Sequence, residues 1–139
     1  MMTQLRWLGL GVALVAVSAC GGDEPIGPAP AVYDVVLSGG PTPVGALFFL
    51  VEGGTVDSVE STGYYTASAP FSGAATRVLV AGGALSGTVI RVRVPDARAT
   101  YRASVVEVAE PGTHQLLPSA NYSLTLVRLP RFFAALPPL

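Results

Sequence analysis

A strict alternation of side chains in the stretch TVIRVRV, residues 88–94, is the feature that most limits what this chain can fold into. Successive side chains of an extended strand point to opposite faces, so residues two apart share a face. One face would carry Thr88, Ile90, Val92 and Val94, and the other would carry Val89, Arg91 and Arg93. The pattern predicts a half-buried β-strand with its aliphatic face turned inward.

Six further segments have the same short, strand-like composition, rich in Val, Leu, Thr and Tyr and bounded by Gly, Pro or Ser. They are residues 33–37, 46–51, 56–59, 76–81, 100–110 and 122–129. The run ALFFLV at 46–51 is continuously apolar, which predicts a central strand covered on both faces. The pair Gly82-Gly83 predicts the end of the fourth segment, and Pro111-Gly112 suits a type II turn.

About seven short strands at roughly ten-residue spacing, without a helical period, predict one all-β domain. We expect a single β-sandwich of immunoglobulin-like Greek-key type, and an eight-stranded barrel is the alternative. An outer-membrane barrel is disfavoured, because its strands need about 10 residues each. With one cysteine in 139 residues, no internal disulfide is possible and the domain must fold by core packing.

The charge of the chain excludes one class of partner. Charged residues make up 12% of the sequence and the formal net charge is −1. Without a basic patch, the sequence does not predict binding to nucleic acid.

The first nineteen residues have the organisation of a secretory signal peptide. A polar start with one positive charge, Arg6, precedes the apolar run 7–17, and the small residues Ser18 and Ala19 follow. A membrane-spanning helix needs about 20 apolar residues, so this run is too short to be one. We expect residues 1–19 to be cleaved, with a short membrane anchor or a buried helix as the alternatives.

The four residues Val17-Ser18-Ala19-Cys20 resemble the lipobox of bacterial lipoproteins, in which an aliphatic and two small residues precede a cysteine. The resemblance implies cleavage after Ala19 and a diacylglycerol on the thiol of Cys20. An ordinary cysteine at a signal-peptidase site is the alternative. Two or more acyl chains hold a protein stably on a membrane.

Residues 20–31 would then be the lipidated Cys20 and a flexible tether rich in Gly and Pro. Gly21 stands where lipoproteins retained in the inner membrane of many Gram-negative bacteria carry Asp, so the resemblance favours the outer membrane. We expect a lipid-anchored protein of the cell envelope that faces the periplasm or the cell surface. Its partners would be the membrane and an envelope protein or polysaccharide.

Three stretches of the domain, residues 45–59, 76–96 and 101–110, resemble cohesin-type domains. These are β-sandwiches related to some carbohydrate-binding modules. A Gly-Ala-aliphatic-Phe strand recurs in that family, as in GALFF here, and a later strand follows a Gly-bearing hairpin. The resemblance implies a cohesin-like sandwich over residues 32–129. It assigns no partner-binding residue, and the acidic calcium loops of neighbouring modules are not evident.

The residues able to carry catalysis or hold a metal are few. The single histidine, His114, is interpreted as a solvated turn residue, although a general base with an oriented partner is the alternative. Asp57, Glu60 and Asp96 lie near predicted turns and are interpreted as solvated carboxylates rather than calcium ligands. We predict no catalytic residue, no metal site and no cofactor, and a non-enzymatic protein.

Two apolar features remain as candidates for binding. Tyr64, Tyr65 and Phe71 stand among small and polar residues in what we expect to be a loop, where exposed rings would contact a glycan or protein. The alternative is that one or two of these rings cap the core. The tail 130–139, which contains two phenylalanines, would pack on the sandwich or dock elsewhere.

The leading prediction is a non-catalytic interaction module anchored in the cell envelope. A spacer without a ligand is one alternative, and it would bury the three aromatic rings. A small hydrolase that uses a serine, His114 and a carboxylate is another.

Overall fold

The computed structural model of the chain describes residues 27–130, which form nine β-strands and one 3₁₀ turn. The strands are β1 (Ala31–Gly39), β2 (Val44–Glu52), β3 (Ser58–Ser61), β4 (Tyr65–Ser72), β5 (Ala75–Leu85), β6 (Gly87–Val94), β7 (Arg102–Ala109), β8 (Leu116–Leu117) and β9 (Tyr122–Arg128). The 3₁₀ turn, Ser119–Asn121, precedes β9. Ala31, at the end of the predicted tether, is the first residue of β1.

The strands form two antiparallel sheets, which pack face to face as a β-sandwich. The four-stranded sheet has the order β3-β6-β1-β9, and the five-stranded sheet has the order β4-β5-β2-β7-β8. Only β4–β5 and β7–β8 are consecutive strands paired in one sheet. Most connections therefore cross between the sheets, and the all-β sandwich predicted from the sequence is confirmed.

The core lies between the sheets and is made of branched aliphatic side chains around one phenylalanine. Leu47, Phe49 and Val51 of β2 are completely buried, and so are Val78 and Val80 of β5. The opposing sheet contributes Val35, Ile90, Val92 and Tyr122. Period-two alternation brings these residues to the inner faces, and their burial supplies the main driving force for folding.

The strand β6 shows the predicted alternation with one irregularity. Ile90 and Val92 face the core, and Arg91 and Arg93 face outward. Val35 of β1 is opposite Ile90, but Val36 is opposite Thr88, so the register shifts at Val89. As a result Val89 is completely buried as well, although the sequence placed it on the arginine face. A β-bulge of this kind re-aims one side chain.

Two strands are not where the sequence predicts them. The segment around Tyr65 and Phe71 is the strand β4, which pairs with β5, so the prediction of a loop there is wrong. The strand β8 has only two residues and was also missed. The prediction that Gly82-Gly83 ends β5 is wrong too, because the strand continues to Leu85, which returns to the core.

Gly82 has a packing reason to be glycine within this strand. A Cβ atom at Gly82 would lie 2.8 Å from Cδ1 of Tyr64. The missing side chain therefore leaves room for the Tyr64 ring, which packs against the core and donates a 3.4 Å hydrogen bond from its hydroxyl to the Ser86 carbonyl.

Candidate functional site

The two outer faces of the sandwich differ in chemistry. On the four-stranded sheet, cross-strand neighbours form ion pairs: Arg91 Nε lies 2.8 Å from Asp34, and Arg93 lies 3.7 Å from Glu60. The hydrogen bond to Asp34 raises the pKa of the Arg91 guanidinium, so this group stays charged. This face is covered by paired charges, as is usual for a solvated surface.

The outer face of the five-stranded sheet is mainly apolar. The register aligns Ala67, Leu79 and Phe48 in one row across three strands, and Tyr65, Ala81 and Ala46 in the next row. The second row continues through Ala109 to Leu116. We call this surface the outer apolar face, and its principal residues are Tyr65, Ala67, Leu79, Phe48 and Leu116.

Much of the outer apolar face is open to solvent. Tyr65 and Leu116 are each 68% exposed, and Leu79 is 39% exposed. Phe48, in the central strand β2, is half-buried. The prediction that β2 is covered on both faces is therefore wrong on the outer side, because no element of residues 27–130 packs over it. Contiguous exposed apolar surface of this kind marks interaction sites more often than isolated apolar residues do.

The strand β4 places two aromatic rings at the two ends of one edge of this face. Tyr65 and Phe71 are six residues apart, which corresponds to about 20 Å of extended chain, and the contact of Phe71 with Arg77 places its ring on the same side as Tyr65. Phe71 is 58% exposed, and the guanidinium carbon of Arg77 lies 4.8 Å from its ring centroid. Tyr65 and Phe71 are thus both available to a partner.

Tyr64 lies apart from the other two rings. It precedes β4, is half-buried and packs against the core. Of the three aromatic residues singled out in the sequence, the structure therefore brings Tyr65 and Phe71 to one surface and gives Tyr64 the role of a core-capping residue.

A shallow groove runs along the outer apolar face beside β4. Its volume is about 380 Å³, and its lining includes Phe48, Ala67, Ala69, Arg77 and Leu79. A smaller hollow of about 70 Å³ continues on the other side of Phe48 and Leu79, toward Glu107 and Leu116. Both hollows share Phe48 and Leu79, so these two side chains form the low ridge in the middle of the surface.

Charged groups border the outer apolar face rather than crossing it. Arg77 lies at one border, directly opposite Leu50 of β2, and Glu107 lies opposite Phe48 at another. At the end of β2, Arg102 Nε donates a 3.2 Å hydrogen bond to Glu52, which also accepts one from Ser104 at 3.1 Å. The arrangement is an apolar centre with a polar rim, which is the usual anatomy of a binding surface.

The polar candidates do not come together in the described part of the chain. His114 is exposed in the turn after β7, has a φ of 59°, and its side chain makes no hydrogen bond within residues 27–130. Asp96 accepts hydrogen bonds from Arg98 Nε at 2.9 and 3.1 Å, and these hold the pKa of its carboxyl well below its usual range. No cluster of three or more possible metal ligands occurs among residues 27–130.

Some predicted features lie outside the described residues. These are the signal peptide, Cys20 with most of its tether, and residues 131–139 of the tail. Within residues 27–130, no helix has the length and apolar character needed to cross a membrane.

Comparisons with known proteins identify no relative. No family model matches the chain, and no curated protein or solved structure matches it either. The function must therefore be inferred from the chain's own residues.

The sequence did not point to four of the residues that form this surface. They lie on three different segments of the chain: Phe48 on β2, Arg77 and Leu79 on β5, and Leu116 on β8. The only available signal was the apolar run at 46–51, in which alternate residues had to face outward.

Proposed function

We propose that this protein is a lipid-anchored, non-catalytic binding module of the bacterial cell envelope. The anchor would be the lipid on Cys20, and the tether that follows would hold the sandwich away from the membrane. The binding surface would be the outer apolar face of the five-stranded sheet. Its partner would be an envelope protein or polysaccharide, and the protein would face the periplasm or the cell surface from the outer membrane.

The observation that carries the proposal is the contrast between the two outer faces. One face pairs its charges, whereas the other leaves Tyr65, Phe71 and Leu79 in solvent. Exposed aromatic rings supply a large contact area at small entropic cost, and they stack on flat apolar surfaces, including the faces of sugar rings. A spacer without a ligand has no need for such a surface, and the exposure of Tyr65 and Phe71 is opposite to what that alternative predicted.

The hydrolase alternative finds less support. A general base must lie within hydrogen-bond reach of its nucleophile, at about 3 Å. The His114 side chain has no such partner among residues 27–130, and both Asp96 and Glu60 lie beside arginines.

The test compares the protein with variants of its two outer faces. The full chain, immobilised in non-ionic detergent, would be exposed to insoluble polysaccharides and to a detergent extract of its own envelope. A Tyr65→Ala, Phe71→Ala variant removes both exposed rings. Val127→Ala is the matched control, because Val127 is 46% exposed on the opposite outer face.

We expect the protein and the control to retain the same polysaccharide or protein, and the double variant to lose it. Retention of a polysaccharide would identify a glycan-binding module, and retention of a protein would identify a protein-binding module. Equal retention by all three proteins, or no retention by any of them, would contradict the proposal and favour a spacer without a ligand.

A further inference from the structure

The strand β4 leaves one backbone edge without a partner in the described part of the chain. It is the first strand of the five-stranded sheet, and β5 alone pairs with it. A free edge presents a row of backbone N–H and C=O groups that can pair with another strand. Natural proteins therefore protect such edges with short strands, charged side chains, prolines or bulges.

The other edge strands of residues 27–130 are shorter than β4, and two of them include a charged residue. The strands β3 and β8 have four and two residues, and Glu60 lies within β3. The strand β9 has seven residues and ends at Arg128. Among the edge strands of the described residues, only β4, with the eight residues YTASAPFS, combines length with a complete lack of charge.

The protection of β4 is confined to its second half. Pro70 lacks a backbone N–H, and the register with β5 shifts between Pro70 and Ser72. The first half, from Tyr65 to Ala69, has neither device. Almost all of β4 is exposed on both faces, so this half is open to an approaching strand.

We propose that this edge pairs with the same edge of a second copy of the chain. The two β4 strands would run antiparallel about a two-fold axis near Ala67 and Ser68. The two five-stranded sheets would then become one continuous sheet across the dimer.

The properties of β4 favour a second copy over an unrelated strand. In an isologous contact, a residue near the two-fold axis faces the same residue of the other copy, so charged residues there would repel each other. The strand carries none, and near the axis its side chains are the small ones of Ala67, Ser68 and Ala69. Two copies can therefore approach as closely as adjacent strands require.

The positions of the aromatic residues fit the same arrangement. Tyr65 and Phe71 lie at opposite ends of β4 on the same face. Antiparallel pairing carries Tyr65 of one copy toward the Phe71 end of the other. Aromatic cross-strand neighbours stabilise an antiparallel pair. The two outer apolar faces would meet at this seam and form one surface of twice the extent.

Sedimentation of the full chain in non-ionic detergent, over a series of protein concentrations, tests the proposal. We expect a reversible monomer–dimer equilibrium. Ser68→Lys places two like charges at the axis and should raise the dissociation constant at least about tenfold. Ser68 is exposed in the single chain, so the variant should fold, and its circular dichroism and urea unfolding check this.

Thr125→Lys is the matched control. It adds the same charge to an exposed position of β9, the other long edge strand, and should leave the dissociation constant unchanged. A protein that stays monomeric at every concentration would overturn the proposal and leave the β4 edge to another chain. Loss of the dimer in both variants, or only in Thr125→Lys, would overturn it as well.

A cross-linking experiment locates the axis independently. Opposed residues of antiparallel strands have Cα atoms about 4.5–5.5 Å apart, which is within the range of a disulfide. In a Cys20→Ser background, Ala67→Cys or Ser68→Cys should give a disulfide-linked dimer on mild oxidation, and Thr125→Cys should not. Failure of both β4 cysteines to cross-link would contradict pairing through this edge.

Discussion

The guanidinium carbon of Arg77 lies 4.8 Å from the centroid of the Phe71 ring. Arg77 belongs to β5 and Phe71 to β4, and Phe71 sits at the register shift near the end of that strand. The contact turns an exposed ring toward the outer apolar face and holds a positive charge beside it. The border of the proposed binding surface is therefore ordered by a contact between two adjacent strands.

A double-mutant cycle of Arg77→Gln and Phe71→Leu measures this contact. A cation over an aromatic ring at an exposed site contributes about 0.5–1 kcal/mol. We expect the two substitutions to be non-additive by that amount in the free energy of unfolding, measured by urea denaturation of the four proteins. Additive effects would mean that the ring and the cation do not interact in solution.

Gly53 and Gly63 provide a second test, this time of the fold. Both have positive φ, at 109° and 117°, so alanine is strained at either position. A Cβ atom at Gly53 would also overlap the carbonyl oxygen of Thr100, whereas Gly63 has open space around it. We expect Gly63→Ala to cost about 1–2 kcal/mol and Gly53→Ala about 2–4 kcal/mol in the free energy of unfolding.

Equal losses in the two glycine variants would contradict the close approach of Gly53 to Thr100. The same urea series, read by the fluorescence of the tyrosines, gives both values. Because Gly63 carries the same backbone strain, it serves as the matched control for the steric effect alone.

The lowered pKa of Asp96 in the folded state predicts how the free energy of unfolding depends on pH. Hydrogen bonds from Arg98 lower the pKa of this carboxyl in the folded state below its unfolded value, which is about 3.9. The stabilisation is therefore present above about pH 4 and is lost as the pH falls toward the lower folded-state pKa. Asp96→Asn removes a group that titrates in this range.

The free energy of unfolding of Asp96→Asn should consequently fall less between about pH 5 and pH 2 than that of the unmodified protein. Urea denaturation across this range measures the difference. Parallel pH profiles for the two proteins would show that Asp96 and Arg98 do not interact in the folded state.

The strands that could be predicted from the sequence are those that carry large aliphatic side chains on one face. Ile90 and Val92 alternate with arginines, and Tyr122 and Leu124 alternate with Ser and Thr, so the period of two was visible. The strand β4 also alternates, with aromatic and alanine residues on its outward face and Thr, Ser and Pro on the other. It carries no large aliphatic side chain, and small residues with a proline are typical of a loop, so only its pairing with β5 makes it a strand.

The candidate site could be predicted from the sequence only in part, and for a different reason. Tyr65 and Phe71 could be singled out, because aromatic residues among small ones are conspicuous. Phe48, Leu79 and Leu116 are apolar residues of the kind that usually lies in a core. Only the sheet order brings their outward-facing side chains together. The apolar face is thus a product of strand pairing between segments that are distant in the sequence.

The proposed anchor predicts one chemical modification. Cells that express the full chain should incorporate radiolabelled palmitate into it, and Cys20→Ser should abolish the label, because no other thiol exists in the chain. Ser18→Ala, which keeps a small residue before the cleavage site, is the control and should remain labelled. Label in the Cys20→Ser variant, or none in the unmodified protein, would refute the anchor.

The most direct test of the central claim is site-specific photo-crosslinking in intact cells. A photoreactive amino acid would replace Leu79, in the middle of the outer apolar face, or Val127, on the opposite face. If the outer apolar face binds an envelope component, the Leu79 position should give a discrete cross-linked product and the Val127 position should not. The absence of a product at Leu79, or the same product at both positions, would contradict the account.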